Sequence, residues 1–426
     1  MNSNNIHSVT LDKDKCKGCT NCIKMCPTQA IRVRNKKAKI IKDLCIDCGE
    51  CIRVCPYHAK KAITDTFDIL DNYKYKIALP APAFYGQFDK ATSINSILHG
   101  ILKAGFDDVF EVAYAAQIIT RKTQELLDSG ELTAPIISSA CPAVVKLITT
   151  KYPSLIDNII PLISPMNLAA KLARIIAEEK TEYKPEEIGV FFITPCAAKA
   201  TCTKLPHGLK ESCIDGVFSF KDMYLKVVPH LKNSDNEEDI SYADFKGVCW
   251  ANSGGEVTSL NISNYIAVDG IHNVLQVFDE IENDKLADVH YIEALACVGG
   301  CVGGPLTVEN NFVAQTRVKK MAKTASGRTP EYVPEINVRW ETDVVSRKQN
   351  TLDDDMFVAM QKLSKVNEIY EHLPKLDCGS CGAPNCRALA EDIVRGYAKE
   401  SDCIVKFKER IAEITNEMLG VQSEDF

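Results

Sequence analysis

The stretch Tyr291-Ile292-Glu293-Ala294-Leu295-Ala296-Cys297-Val298-Gly299-Gly300-Cys301-Val302-Gly303-Gly304-Pro305 joins two kinds of sequence. Residues 291–296 form a β-rich run, and the following residues mix two cysteines with paired glycines, which let the main chain approach something bulky and donate N–H groups to it. Upstream, β-rich runs at Tyr75–Leu79, Ala134–Ile137 and Ile188–Ile193 alternate with helix-period segments at Thr92–Ala104, Leu168–Lys180 and Phe218–Val228. This alternation predicts an α/β domain over residues 72–373. Two more cysteines stand in Ser138-Ser139-Ala140-Cys141-Pro142 and Thr194-Pro195-Cys196-Ala197-Ala198-Lys199. One such cysteine alone reads as a small hydrophobe. Cys141, Cys196, Cys297 and Cys301 together, each beside a proline or a glycine pair, predict four sulfurs converging on one buried cubane.

The remaining cysteines are clustered. Cys16-x2-Cys19-x2-Cys22-x3-Cys26-Pro27 and Cys45-x2-Cys48-x2-Cys51-x3-Cys55-Pro56 are an internal duplication and resemble the bacterial two-cluster ferredoxin run. In that run three close sulfurs hold one cubane while the fourth reaches the other. The expected sets are therefore Cys16, Cys19, Cys22 with Cys55, and Cys45, Cys48, Cys51 with Cys26. Structural zinc usually separates two C-x2-C pairs, so the spacing favours iron–sulfur. Residues 1–71 are predicted to be a ferredoxin-like α+β domain. Residues 374–426 carry Cys378-x2-Cys381-x4-Cys386-x16-Cys403 around helical runs at Arg387–Lys399 and Lys406–Leu419, and resemble the small 4Fe-4S domain of corrinoid iron–sulfur proteins. Three 4Fe-4S clusters and the central site use 16 of the 19 cysteines, leaving Cys202, Cys213 and Cys249.

Composition narrows the class. The 426 residues are 46% hydrophobic and 25% charged, with 50 basic against 57 acidic side chains for a net charge of −7. That balance excludes disorder and argues against nucleic acid. The most apolar stretch, residues 154–178, is broken by Asp157, Pro161, Pro165, Lys171 and Arg174, and Met1–Thr10 has no signal-peptide core, so no membrane span and a cytoplasmic location are expected. Charge-rich segments at Leu231–Asp239 and Arg347–Asp355 read as solvated loops. The eight histidines show no paired metal-ligand spacing.

The three central segments resemble the signature motifs of the diiron (iron-only) hydrogenases, with the ferredoxin module in its usual N-terminal place. The resemblance implies two lobes of twisted sheet flanked by helices around an H-cluster. In that cofactor a 4Fe-4S cubane on Cys141, Cys196, Cys297 and Cys301 is linked through the Cys301 thiolate to a diiron unit carrying CO, cyanide and a dithiolate bridge. It implies that Lys199 hydrogen-bonds a cyanide, an anion that would offset the cost of burying an ammonium. Ala81, Pro82, Ala140, Pro165, Gly299 and Gly300 are implied as cofactor-pocket residues. The reaction implied is reversible dihydrogen oxidation, with dihydrogen and protons as substrates, a ferredoxin-like redox partner or a regulatory signalling partner, dependence on the diiron maturation enzymes, and a homodimer left open.

Departures from the family pattern qualify the activity. Catalytic members carry a proton-transferring cysteine where this chain has Ala140, and losing a positioned acid or base costs about 10²–10⁴-fold in rate. Cys202 replaces a glutamate three residues past the motif lysine and is a candidate proton carrier. In Ile118–Glu125 one of the usual acidic pair is basic while Glu125 remains, and Thr194 and Leu295 replace methionines. Slow turnover and a hydrogen- or redox-sensing role are expected. The competing reading is a non-catalytic electron-transfer or cluster-assembly protein with a hydrogenase-like domain.

Overall fold

A run such as Ile188-Gly189-Val190-Phe191-Phe192-Ile193-Thr194, apolar at both parities, needs cover on both faces. In the computed structural model all seven of these residues are buried. The structure describes residues 7–88, 93–233, 237–330, 332–347 and 351–419. The chain divides into two units, a larger one of residues 1–9, 46–49 and 62–346 and a smaller one of residues 10–45, 50–61 and 347–426.

The larger unit is α/β. Its described strands are β1 (Tyr75–Pro80), β2 (Asp108–Val109), β3 (Ile136–Ile137), β4 (Ile188–Thr194), β5 (Gly216–Ser219), β6 (Tyr265–Asp269) and β7 (Tyr291–Leu295). They form two sheets, in the orders β2-β1-β4-β5 and β6-β7-β3. Every neighbouring pair is parallel. Helices that flank these strands include α1 (Ile94–Lys103), α2 (Val112–Ser129), α3 (Pro142–Lys151), α4 (Pro165–Lys180), α5 (Ala197–Cys202), α6 (Phe220–Val227) and α7 (Ile271–Glu282). Their starts are chemically marked. Ser93 and Ser96 make a reciprocal capping box at α1, and α3 and α4 both begin with proline at the first helical position. Beneath β4 and β5, Phe191 and Phe218 stack with centroids 5.7 Å apart.

The smaller unit carries an antiparallel pairing of Ile31–Arg34 with Lys37–Ile40. Its C-terminal residues join that hairpin directly: the Val33 N–H donates to the Gly382 carbonyl at 2.8 Å. Arg32 Nε and Arg34 Nη2 both reach Asp392 Oδ2, at 2.7 and 2.9 Å. Gly382 has φ +80°, and a Cβ there would lie 1.9 Å from the Val33 carbonyl oxygen, so only glycine fits. Helices Met356–His372 and Cys386–Val394 share a small core of Val366, Ile369 and Leu389.

Several local expectations shift. The helical segment Phe218–Val228 divides, because Phe218 and Ser219 finish β5 and the Ser219 hydroxyl then caps α6 by accepting from the Asp222 N–H. The run Ala134–Ile137 contributes only Ile136–Ile137 to a sheet. Strand β6 was not foreseen, since Tyr265 and Ala267 face outward and weaken its apolar pattern. The helix begun at Arg387 starts at Cys386 and ends at Val394. Thr92, residues 234–236 and 348–350, and the chain ends at 1–6 and 420–426 lie outside the described residues. Most of the N-terminal cysteine segment and the whole C-terminal one fall in the smaller unit. No described helix is long and apolar enough to cross a membrane.

Candidate functional site

Parallel sheets collect ligand sites at the carboxyl ends of their strands, and the larger unit does this three times. Past β3, Cys141 is the residue preceding α3, with Pro142 at the first helical position. Past β4, Cys196 caps α5 and its sulfur accepts from the Lys199 N–H at 3.4 Å. Thr194 explains part of that turn: its hydroxyl donates to the Cys196 carbonyl at 3.1 Å and accepts from the Cys196 N–H at 3.2 Å. Past β7 come Cys297 and Cys301.

These segments converge on one ammonium. Lys199 Nζ lies 3.2 Å from Cys301 Sγ. Burial works against the lysine's charge, but the thiolates of Cys301, Cys196 and Cys141 outweigh it and raise the pKa. Burial pushes the Cys196 thiol up to about 12, opposed chiefly by Lys199, with Cys297 and Cys301 adding to the rise. Burial likewise raises Cys141. Three cysteines whose charges reach a buried cation, with Cys297 acting on Cys196, fit a soft metal centre with anionic ligands.

Beside them is a largely apolar cavity enclosing roughly 590 Å³ of space, part of it open to solvent. Ala81, Pro82, Ala140, Pro165, Lys199, Leu295 and Cys301 all line it. Gly299 and Gly300 do not. Gly300, at φ +90°, lets the chain pass the Asn252–Ser253 backbone, where a Cβ would come within 2.5 Å of the Ser253 nitrogen. At Gly299 a Cβ would meet Gln315, so the close approach these glycines permit is to protein. Cys202 is buried outside the cavity wall, with its thiol pushed up by burial. Glu125 is on the surface, paired with Lys122 at 2.8 Å.

Two acids that the sequence reading did not single out line the cavity, Glu256 and Glu293. Glu256 accepts from Ser138 Oγ at 2.7 Å and from the Tyr291 hydroxyl at 2.6 Å. Glu293 accepts from the backbone N–H groups of Gly254, Glu256 and Val257 at 2.9 to 3.1 Å. Burial raises both pKa values towards neutrality, and the Glu256 charge raises Glu293 further. Burial therefore favours the neutral form of both acids. The same Ser138 Oγ also accepts from the Ala140 N–H at 3.3 Å, so a hydrogen-bonded chain joins Glu256 to the Ala140 backbone. Glu293 stands inside the quoted motif, so its position could have flagged it, whereas Glu256 follows Gly254-Gly255 with no signal of its own.

In the smaller unit, Cys22 lies within electrostatic reach of Cys16, Cys19 and Cys55. Cys51 lies within reach of Cys26 and Cys45. Cys48 falls in the segment 46–49 of the larger unit. Cys381 feels the charges of Cys403 and Cys378, and Cys386 opens the helix beside them. The three leftover cysteines, Cys202, Cys213 and Cys249, all have thiols raised by burial.

Comparison with known proteins agrees with this arrangement. Residues 74–227 and 222–305 match the family described as iron only hydrogenase large subunit, C-terminal domain. Residues 8–56 match a 4Fe-4S dicluster domain, and residues 373–405 a family of Fe–S cluster segments. The chain is 26% identical over 367 residues to the periplasmic iron hydrogenase large subunit of Nitratidesulfovibrio vulgaris, covering 70% of this chain and 86% of that protein. It is 23% identical over 416 residues to iron hydrogenase 1 of Clostridium pasteurianum, covering 80% and 72%. A solved FeFe-hydrogenase structure from a study of stepwise H-cluster assembly is 16% identical, with a TM-score of 0.45 over 57% of this chain and 84% of that one. The first of these matches takes in more than half of the sequence and all four cysteines around Lys199. The chain belongs to the iron-only hydrogenase large-subunit family.

Proposed function

We propose that this chain is a slow diiron hydrogenase whose reversible dihydrogen chemistry reports on hydrogen or redox state. The observation that carries the reading is the Lys199 ammonium, buried 3.2 Å from Cys301 Sγ in the wall of a cavity that Ala140 also lines. When bound, an H-cluster supplies heterolytic cleavage of dihydrogen. In this reading Cys141, Cys196, Cys297 and Cys301 would hold its iron–sulfur part. Lys199 donates to a cyanide, and Ala81, Pro82 and Pro165 exclude water from the pocket.

The methyl group of Ala140 cannot exchange a proton. Proton transfer therefore falls to the Glu256–Glu293 pair, whose raised pKa values suit a donor near neutral pH. Ser138 and Tyr291 hold Glu256 in place. A path displaced from the usual cysteine accounts for low turnover, and low turnover suits a sensor. The eight cysteines of the N-terminal motifs and the four of the C-terminal module would hold iron–sulfur clusters, which would supply electron transfer to a ferredoxin-like or signalling partner. Diiron maturation enzymes and a cytoplasmic location complete the reading.

The test is an infrared spectrum of anaerobically purified, diiron-matured protein under argon and then under hydrogen. CO and cyanide bands that shift with hydrogen are expected. Their absence at full cubane loading would leave an electron-transfer or assembly protein.

A further inference from the structure

Strand alternation sends neighbouring lysines to opposite sides of Lys60–Ala62. Lys61 points outward and pairs with Asp12 at 2.9 Å on the surface. Lys60 is 3% exposed, and among the described residues its Nζ has no hydrogen-bond partner. An unpaired buried ammonium is costly, so it must meet an anion that the polypeptide alone does not supply.

The surroundings say which anion. Lys60 lines a cavity in the smaller unit together with Cys16, Cys19, Cys22 and Cys55. Its charge also reaches the second motif. Burial raises the Cys22 thiol to about 11, and the first influence opposing that rise is Lys60. Burial raises Cys51 as well, again opposed first by Lys60. Cys26 is raised by burial, with the Ala30 N–H, Thr28 and Lys60 opposing it. One fixed cation thus stands against cysteines from both halves of the duplication. The Asp12 carboxylate is taken by Lys61, and no carboxylate is among the residues lining this cavity.

We propose that Lys60 is a positioning residue that sets the reduction potential of the N-terminal iron–sulfur clusters. The inference rests on the reading above that the motif cysteines hold cubanes. One-electron reduction adds one negative charge to a centre that four thiolates already leave anionic, and no bond forms or breaks. A buried cation stabilises the reduced form more than the oxidised form, so the potential rises. Electrons released by dihydrogen oxidation then collect in this module, poised for a partner, and the module becomes a readout of hydrogen.

The experiment is an EPR-monitored redox titration of the full-length, anaerobically reconstituted protein as wild type, Lys60→Met and Lys60→Arg. Lys60→Met should lower the reduced-to-oxidised ratio of the N-terminal clusters at least tenfold at a fixed solution potential, 59 mV for a one-electron couple, with iron content unchanged. Lys60→Arg should remain within twofold of wild type. Equal potentials in Lys60→Met and wild type at equal iron content would overturn the proposal. If Lys60→Met loses iron, Lys60→Gln takes its place. Loss of iron in both neutral variants, with retention in Lys60→Arg, would also overturn it, because the ammonium would then serve assembly. Iron and sulfide analysis of the wild type separately tests the parent reading, which falls if no cubanes are present.

Discussion

Lys146 Nζ lies 2.7 Å from Asp47 Oδ2, with the two side chains 1% and 0% exposed. Asp47 also accepts from the Thr201 hydroxyl at 2.9 Å and from the N–H groups of Ser8 and Val9. Asp47 immediately precedes Cys48, and Lys146 is on α3, which follows Cys141, so one buried pair fixes two cysteine-bearing segments. Removing one partner strands the other. Lys146→Met should destabilise the larger unit by about 3–5 kcal/mol. Lys146→Met with Asp47→Leu should recover much of that loss, as read by urea unfolding of the three proteins.

Glu256 and Glu293 predict a pH dependence. Both carboxyls bind protons more tightly folded than unfolded, so their contribution is fully present below the ordinary value of 4.5 and is lost as pH rises through about 7 and about 8. Thermal stability should therefore decline across that window. Glu293→Gln removes one titrating group and lifts its repulsion from the other, and should flatten the decline. A wild-type melting temperature that rises between pH 5 and 8 would contradict the assignment.

The cavity wall at Ala140 offers a direct gain-of-function test. Ala140→Cys adds a thiol where the methyl group now faces the pocket. Hydrogen evolution from reduced viologen should increase about 10²-fold, the scale of one positioned proton carrier. In the same assay Glu256→Gln should slow the parent protein but matter less once the cysteine is present.

Asp392 is 5% exposed and receives both Arg32 and Arg34. Asp392→Ala would leave two guanidinium groups facing each other beside the Gly382 contact. A loss of about 2–3 kcal/mol is expected from hydrogen bonds to charged groups. Limited proteolysis should then release the C-terminal residues first.

Much of the site could be read from residues with unmistakable chemistry. Cysteine spacing marked the N- and C-terminal segments that match iron–sulfur families, and β-rich runs located β1, β4 and β7, because buried parallel strands are apolar on both faces. What escaped has physical causes. Strand β3 has two residues, too few for any periodicity. Phe218 and Ser219 continue the apolar pattern of α6 although they are strand. Glu256 and Lys60 look like surface residues in one dimension, and only tertiary enclosure makes them unusual. Gly299 and Gly300 run close to Gln315 and the 252–253 backbone, neighbours that a sequence alone does not bring together.

Residues 347–426 complete a unit begun by residues 10–45 and 50–61, with 62–346 interposed. During synthesis the first eight cysteines leave the ribosome well before Asp392 and Gly382 exist to clasp the Ile31–Arg34 hairpin. At typical elongation rates of about 5–20 residues per second the delay is on the order of tens of seconds. Over that interval the early cysteines are exposed thiols without their finished scaffold. Iron supply would therefore have to match the pace of translation, and oxidative damage during biogenesis should fall first on the amino-terminal motifs.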